Sequence, residues 1–380
     1  MLSTSGSTGS SKMVMLSYEN LQANAESIIR SLKIEKGDRA AVMLPISYSY
    51  GLSVVNSYLL AGGELLFPKG NIVQVEYWDS LEQMGVQAIC GVPYTYQVLQ
   101  RLKILSRPLK ELKLMTQAGG GLSLELQKYF QEEALRRQIH FAVMYGQTEA
   151  TARMSCFFLE EHADKLGSVG RAIPGGVFCI QRKNNQSENE SSLHAKSCEG
   201  EILYRGRNVS LGYAYSWKDI IAKENMQAEY VDCNGWLHTG DVGWLDEDGY
   251  LYLTGRKKRI IKMRGYRVNL DELQEQIGNR VQRSVVCVAV PENSRLMKAA
   301  ENTMRAQESN LSEVLYVVLE QQEDISTEVR KEVERALTDC LVSRDKYKIC
   351  CVDSIPRGEN GKVQYAELQK NINYWRRNYG

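Results

Sequence analysis

GWLHTGDVGWLDEDGYLYLTGRKKRIIKMRGYRVNLDELQ, from Gly235 to Gln274, changes character along its length. Its first half is short β-like runs broken by Gly and Asn/Asp turns. A basic run follows: Arg256, Lys257, Lys258, Arg259, Lys262, Arg264 and Arg267. Charge alone would allow a solvated or nucleic-acid-binding face, but Ile260, Ile261 and Met263 interleave with the cations and point to a strand. The stretch ends where helical periodicity starts, over Asp271 to Ile277. A domain boundary is therefore placed near Lys258.

Upstream, the β-like character extends back to Gly167 and includes tracts at Val177 to Ile180 and Glu201 to Tyr204. Between them, Arg182 to Ser197 is rich in Asn, Ser and Glu and reads as a solvated loop. Earlier still, helical segments alternate with short apolar runs. Leu21, Ala25, Ile28, Ile29 and Leu32 share one helical face, and Ser47 to Leu60 reads as a second helix. Arg39 to Leu44, Glu64 to Phe67, Gln87 to Cys90, Leu112 to Thr116 and His140 to Met144 read as buried strands, a cadence that predicts a parallel sheet. Downstream, Val285 to Val290, Leu315 to Leu319, Thr327 to Leu341 and Lys348 to Val352 complete an α+β unit. The fold class is α/β: a large layered αβ domain over 1–257 with a small distorted β-barrel at about 165–254, followed by a small α+β C-terminal domain over 258–380.

The chain has 380 residues, 43% of them hydrophobic and 24% charged, which excludes a disulfide miniprotein and a disordered or collagen-like chain. Lys plus Arg (47) against Asp plus Glu (46) leaves no net field to attract nucleic acid or anionic lipid. Nine cysteines, none in a C-x-x-C pair, read as reduced and mostly buried thiols. No apolar run nears the roughly 18 residues that span a bilayer, and no leader is evident. A cytoplasmic, bacterial-type setting is the expectation.

Nine of the first twelve residues, MLSTSGSTGSSK, are Ser, Thr or Gly. Two readings stand: a floppy terminal tail, or a loop whose backbone N–H groups, hydroxyls and Lys12 wrap phosphate oxygens. Gly6, Gly9 and Lys12 do not have the G-x-x-x-x-G-K-[ST] spacing, so a P-loop NTPase is disfavoured. Further on stand Gly119, Gly120 and Gly121, then MYGQTEA (Met144 to Ala150), the Gly235 stretch, and PRGENGKVQ (Pro356 to Gln364). The three glycines serve a plain turn about as well as a pocket wall.

In this order the motifs resemble those of the adenylate-forming superfamily: acyl-CoA and aryl-CoA synthetases, peptide-synthetase adenylation domains and luciferase. The resemblance runs from Ser3 to about Gln369. It implies ATP-dependent activation of a carboxylic acid to acyl-AMP with release of pyrophosphate, then transfer to a thiol, with ATP and Mg²⁺ as cofactors. By resemblance, Thr4, Ser5, Gly6, Ser7, Thr8, Gly9 and Lys12 hold the β- and γ-phosphates. Thr148 is a phosphate ligand and Glu149 the Mg²⁺ carboxylate, a hard oxygen donor suited to that ion. Tyr145, followed by Gly146, matches the aromatic residue that stacks on adenine, and Gly119 to Gly121 line the nucleotide and acyl pocket. Asp241 resembles the carboxylate on the ribose hydroxyls, helped by Arg256. Lys362 resembles the lysine bridging carboxylate and α-phosphate, Lys258 the hinge of a mobile C-terminal domain, Gly265 a residue of the pantetheine tunnel, and Lys262 a helper of the thiol step.

The chain also departs from the pattern. Members carry roughly a domain's worth of sequence before the phosphate loop, so open sheet edges and dependence on a partner or an upstream chain are expected. Ser11 and Met13 replace the usual proline and glycine around Lys12. In LPISYSYG, Tyr48 stands where acyl-CoA synthetases often have histidine. No carrier domain follows Lys362, so the acceptor would be CoA or the phosphopantetheine of a separate carrier protein. Two alternatives stay open: a truncated non-catalytic remnant or half of a split enzyme, and an amino-acid adenylation domain.

Overall fold

A computed structural model of the chain describes residues 1–3, 13–182, 199–216, 219, 228, 230–263, 266–291, 313–321, 325–340, 342–358, 363–365, 367–368 and 370–372. The chain divides into two compact units at Leu253/Thr254.

In the first unit, β1 (Leu2–Ser3) pairs antiparallel with β2 (Met13–Met15). Leu2 and Ser3 are thus strand residues, which rules out the floppy-tail reading for them. Helix α1 (Tyr18–Leu32) starts on a capping box: the Ser17 hydroxyl accepts from Asn20 N at 3.0 Å and the Asn20 side chain accepts from Ser17 N at 3.0 Å. Then come β3 (Arg39–Ala41), α2 (Ser49–Ala61), β4 (Glu64–Leu66), α3 (Val75–Gln83), β5 (Ala88–Gly91), α4 (Pro93–Arg101), β6 (Leu114–Gln117), α5 (Leu124–Arg137), β7 (His140–Tyr145), β8 (Ser155–Phe158) and β9 (Arg171–Ala172).

These strands form one seven-stranded sheet in the order β4-β3-β5-β6-β7-β8-β9. It is parallel from β4 to β7, as the cadence predicted, but β8 and β9 add antiparallel, so the sheet is mixed. A tight loop after Tyr145 replaces the helical crossover that a further parallel strand would need. Alternate strand residues face opposite layers. Ala40, Cys90, Leu114, Ala142 and Met144 pack against α1 and α2 through Ile28, Leu32, Tyr50, Val54 and Tyr58. Ala41, Ile89, Met115, Phe141 and Val143 pack against α3, α4 and α5 through Trp78, Leu81, Tyr96, Leu99 and Phe130.

The two expected β tracts are β10 (Gly176–Gln181) and β11 (Gly200–Gly206), paired antiparallel. The solvated-loop expectation between them falls on residues outside the described set, apart from Arg182. With β13 (Leu237–Leu245) and β14 (Leu251–Arg256) they form a four-stranded sheet, while β12 (Gly212–Ala214) joins β2. Phe178, Ile202, Tyr204, Leu237 and Leu251 close a core on Tyr145 and Met154.

In the second unit the basic run is indeed a strand pair, β15 (Ile260–Met263) with β16 (Tyr266–Asn269). Arg259 is not a free surface cation. It donates to Asp271, to the Cys287 carbonyl and to Gln274, and lies over the Tyr365 ring. Helix Leu270–Val281 is capped by Asn269, and helix Thr327–Asp339 by Ser326. A three-stranded sheet of β17 (Val285–Pro291), β18 (Glu313–Glu320) and β19 (Tyr347–Val352) carries a core on each face. The thiols are less buried than expected: Cys90 and Cys287 are buried, but Cys179 and Cys233 are exposed. Among the described residues, no helix is long and apolar enough to cross a membrane.

Candidate active site

The site is built on the turn between β7 and β8. A Cβ on Gly146 would overlap the carbonyl of Ala152, so only glycine lets the two limbs meet. Residues Thr148–Ala150 make one 3-10 turn, Thr151 takes a left-handed φ of 67°, and Met154 N returns to the Tyr145 carbonyl at 2.9 Å. Asn208 fastens the turn from outside. Its amide donates to the Ala150 and Arg153 carbonyls at 2.9 Å each, and the Thr151 hydroxyl donates to its carbonyl at 2.6 Å. Gly146→Ala is expected to lower unfolding stability by about 2–3 kcal/mol, the scale of a forced overlap in a packed region, read as a lower denaturant midpoint.

Each residue of the turn faces a different partner. The Tyr145 hydroxyl donates to Asp241 Oδ2 at 2.6 Å, and Gln147 Nε2 donates to the same oxygen at 2.6 Å and to the Thr239 carbonyl at 2.9 Å. Asp241 is 4% exposed, so two donors converging on one oxygen fix the plane of a buried carboxylate. The Thr148 hydroxyl donates to Ser49 at 3.2 Å, the first residue of α2. Glu149 Oε1 accepts from the Tyr213 hydroxyl at 2.6 Å. Burial, and then the Glu149 charge, push the Tyr213 hydroxyl well above its ordinary pKa, so it stays a donor.

Tyr213 lies in β12 opposite Val14 of β2, the strand that follows the Ser/Thr/Gly segment, so Glu149 and the base of that segment share one neighbourhood. Thr4, Ser5, Gly6, Ser7, Thr8, Gly9 and Lys12 themselves lie outside the described residues, as do Gly265 and Lys362. For Lys258 and Lys262 the backbone alone is described: Lys258 sits in the 3-10 turn Lys257–Arg259, and Lys262 pairs with Arg267 across β15 and β16. Arg256 is exposed at the end of β14.

Gly119, at φ 86°, follows β6, and the Gln117 amide donates to the Gly120 carbonyl at 2.8 Å. The Tyr48 hydroxyl lies against Gly119, where any Cβ would collide with it. The structure thus joins Tyr145, Gly146, Thr148, Glu149 and Asp241 through one turn, and places Tyr48 against Gly119. Gln147, Asn208 and Tyr213 were not read as site residues. Only Gln147 carried a signal, its place inside MYGQTEA. Oxygen donors at Glu149 and Thr148 fit Mg²⁺. His140, Glu160 and Glu161 also cluster, at the far end of β7, but His140 pairs with Glu160 at 2.6 Å and Lys33 with Glu161 at 3.3 Å.

A sequence profile described as "AMP-binding enzyme" matches residues 1–214, more than half of the chain. The chain belongs to this AMP-binding family. It is 30% identical over 275 residues to the oxalate–CoA ligase of Arabidopsis thaliana, covering 70% of this chain and 50% of that one. It is 27% identical over 373 residues to the 2-succinylbenzoate–CoA ligase of Bacillus cereus, covering 97% and 69%. Among solved structures, the o-succinylbenzoate CoA synthetase of Bacillus subtilis with its acyl-adenylate intermediate aligns at a TM-score of 0.72 and 22% identity, over 97% of this chain and 68% of that one. The same enzyme is also known with ATP and a magnesium ion, again at a TM-score of 0.72 and 22% identity, over 97% of this chain and 69% of that one. These likenesses establish the adenylate-forming fold class, with a large N-terminal and a small C-terminal domain. The chain spans 50% to 61% of the length of the first of its curated relatives.

Proposed function

We propose that the chain is an acid–thiol ligase: it activates a carboxylic acid with ATP to an acyl adenylate, releasing pyrophosphate, and passes the acyl group to the thiol of CoA. The observation that carries this reading is the buried carboxylate of Asp241, held by Tyr145 and Gln147 on the turn that also presents Thr148 and Glu149. A nucleotide whose ribose donates to Asp241 would place its phosphates toward Thr148 and Glu149. Mg²⁺ would be held at Glu149, where it would offset triphosphate charge.

The roles of the chain's own residues follow from the chemistry. A carboxylate attacking an anionic phosphate must be held in line while donors and cations offset repulsion. In this reading Thr4 to Gly9 and Lys12 hold the β- and γ-phosphates, Thr148 orients the α-phosphate, and Lys362 neutralises charge between acid and phosphate. Arg256 supports the ribose contact. Residues 1–257 form the nucleotide domain and 258–380 the mobile domain, turning at Lys258 so that Lys262 and Gly265 serve the thiol step. The relatives are named for oxalate, coumarate and succinylbenzoate, so their names leave the acid open.

The test is carboxylate-dependent ATP–pyrophosphate exchange across short, long-chain, aryl, dicarboxylic and amino acids, with and without Mg²⁺. Exchange with at least one non-amino acid, abolished by chelation, is the expected result. Exchange with amino acids alone would make the chain an amino-acid adenylation domain. A folded protein that binds AMP and exchanges with no acid would be a binding subunit, and the proposal would fall.

A further inference from the structure

Arg153 ends the site turn, and its side chain is an anomaly. It is 3% exposed, its Nε is buried without a hydrogen-bond partner, and among the described residues no carboxylate pairs with its guanidinium. Its guanidinium lies over the Tyr50 ring, with Cζ 4.5 Å from the centroid, which offsets only part of the cost of burying a cation. The backbone is not free to relieve it. Asn24 binds Arg153 from both sides, donating to its carbonyl at 2.9 Å and accepting from its N–H at 3.3 Å. Asn208 donates to the same carbonyl.

The groups around the guanidinium do not neutralise it. Burial raises the thiol of Cys90 to about 11 and that of Cys156 to about 12, and raises the hydroxyls of Tyr48 and Tyr50, so all four are uncharged at neutral pH. The acids nearest Cys156 are committed elsewhere: Glu160 to His140 and the Phe141 N–H, and Glu161 to Lys33. A buried charge that the described residues leave unmatched points to an anion supplied from outside.

Its place in the fold says which one. Three consecutive residues at the start of α2 each touch a different part of the site: Tyr48 lies against Gly119, Ser49 bonds Thr148, and Tyr50 lies under the Arg153 guanidinium. The cation is thus seated between α2 and the sheet, over the ring of Tyr50, the neighbour in sequence of the Ser49 that bonds Thr148, which the proposed function puts on a phosphate.

We infer that Arg153 selects the acid: the substrate carries a second carboxylate, which pairs with this guanidinium while the first attacks ATP. The inference rests on the acyl-adenylate reading but is tested separately from it. Succinate, glutarate and phthalate are compared with their half-amides, which match them in shape but lack the far charge. Two readouts are used on the full chain: acid-dependent pyrophosphate exchange, and calorimetric binding of the acid itself. The wild-type protein is expected to favour each best-fitting diacid over its half-amide by at least about 30-fold in one or both readouts, the lower scale for loss of one partner of a buried charge pair. Arg153→Met should bring that ratio to near one while AMP affinity and thermal midpoint are kept, and Arg153→Lys should retain part of it. Failure of exchange with every acid would sink the ligase reading, and the binding ratio would still decide the role of Arg153. A wild-type ratio near one in both readouts, or a ratio unmoved in Arg153→Met, overturns the inference. If Arg153→Met does not fold, the wild-type ratio and Arg153→Lys decide it.

Discussion

Asp241→Asn is expected to weaken ATP and AMP binding by about 10²-fold while the protein remains folded. The side chain keeps its shape, but the carboxylate becomes a neutral amide, and hydrogen bonds to charged groups are worth about 1.5–3 kcal/mol each against about 1 for neutral ones. Two ribose hydroxyls donating to Asp241 would therefore lose about 1–4 kcal/mol together. The amide must also turn its oxygen toward Tyr145 and Gln147, which now share the charged Oδ2, leaving its NH₂ for the ribose. The loss should fall mainly on nucleotide affinity, seen in AMP titration and in the KM for ATP, with the acid KM nearly unchanged. An AMP affinity within threefold of wild type would remove Asp241 from the nucleotide site.

Lys362→Ala is expected to slow adenylation by about 10²–10³-fold, the usual cost of removing one preorganised charge-stabilising donor. In the proposed role its contribution would be greatest where negative charge converges, between an attacking carboxylate and the α-phosphate. AMP binding should stay within a few-fold of wild type, since that ligand brings no second anion. Pyrophosphate exchange measures the first quantity and AMP titration the second. Unchanged exchange in the variant would reject the assignment.

Much of the scaffold was legible because it rests on local chemistry. Leu21, Ala25, Ile28 and Leu32 announce a helix by their spacing, and runs such as His140 to Met144 are apolar enough to be strands in any context. The reversal of β8 was not legible, because it depends on Gly146 meeting the Ala152 carbonyl, a contact that no hydrophobic period encodes. The same holds for α1. Its apolar face was read correctly at Ala25, Ile28 and Leu32, yet Asn20, Asn24 and Ser27 are buried too, spent on the carbonyls of Arg207, Val209, Arg153 and Pro174. Within the site, Asp241, Thr148 and Glu149 stood out by motif. Tyr213 could not, since its partner Glu149 is 64 positions away in the chain. Arg153 had one faint sign: a lone cation in the otherwise uncharged ATARMSCFF.

The clasp at Gly146 has a bearing on how such a protein could be re-engineered. One short hairpin carries the groups assigned to phosphate, metal and acid, together with the two donors that hold Asp241, and its two limbs are locked where a single methyl group would not fit. A mutagenesis library that randomised the whole hairpin would therefore mostly return unfolded clones. Diversity confined to position 153, the acid-selecting residue of the inference above, would leave the clasp itself standing.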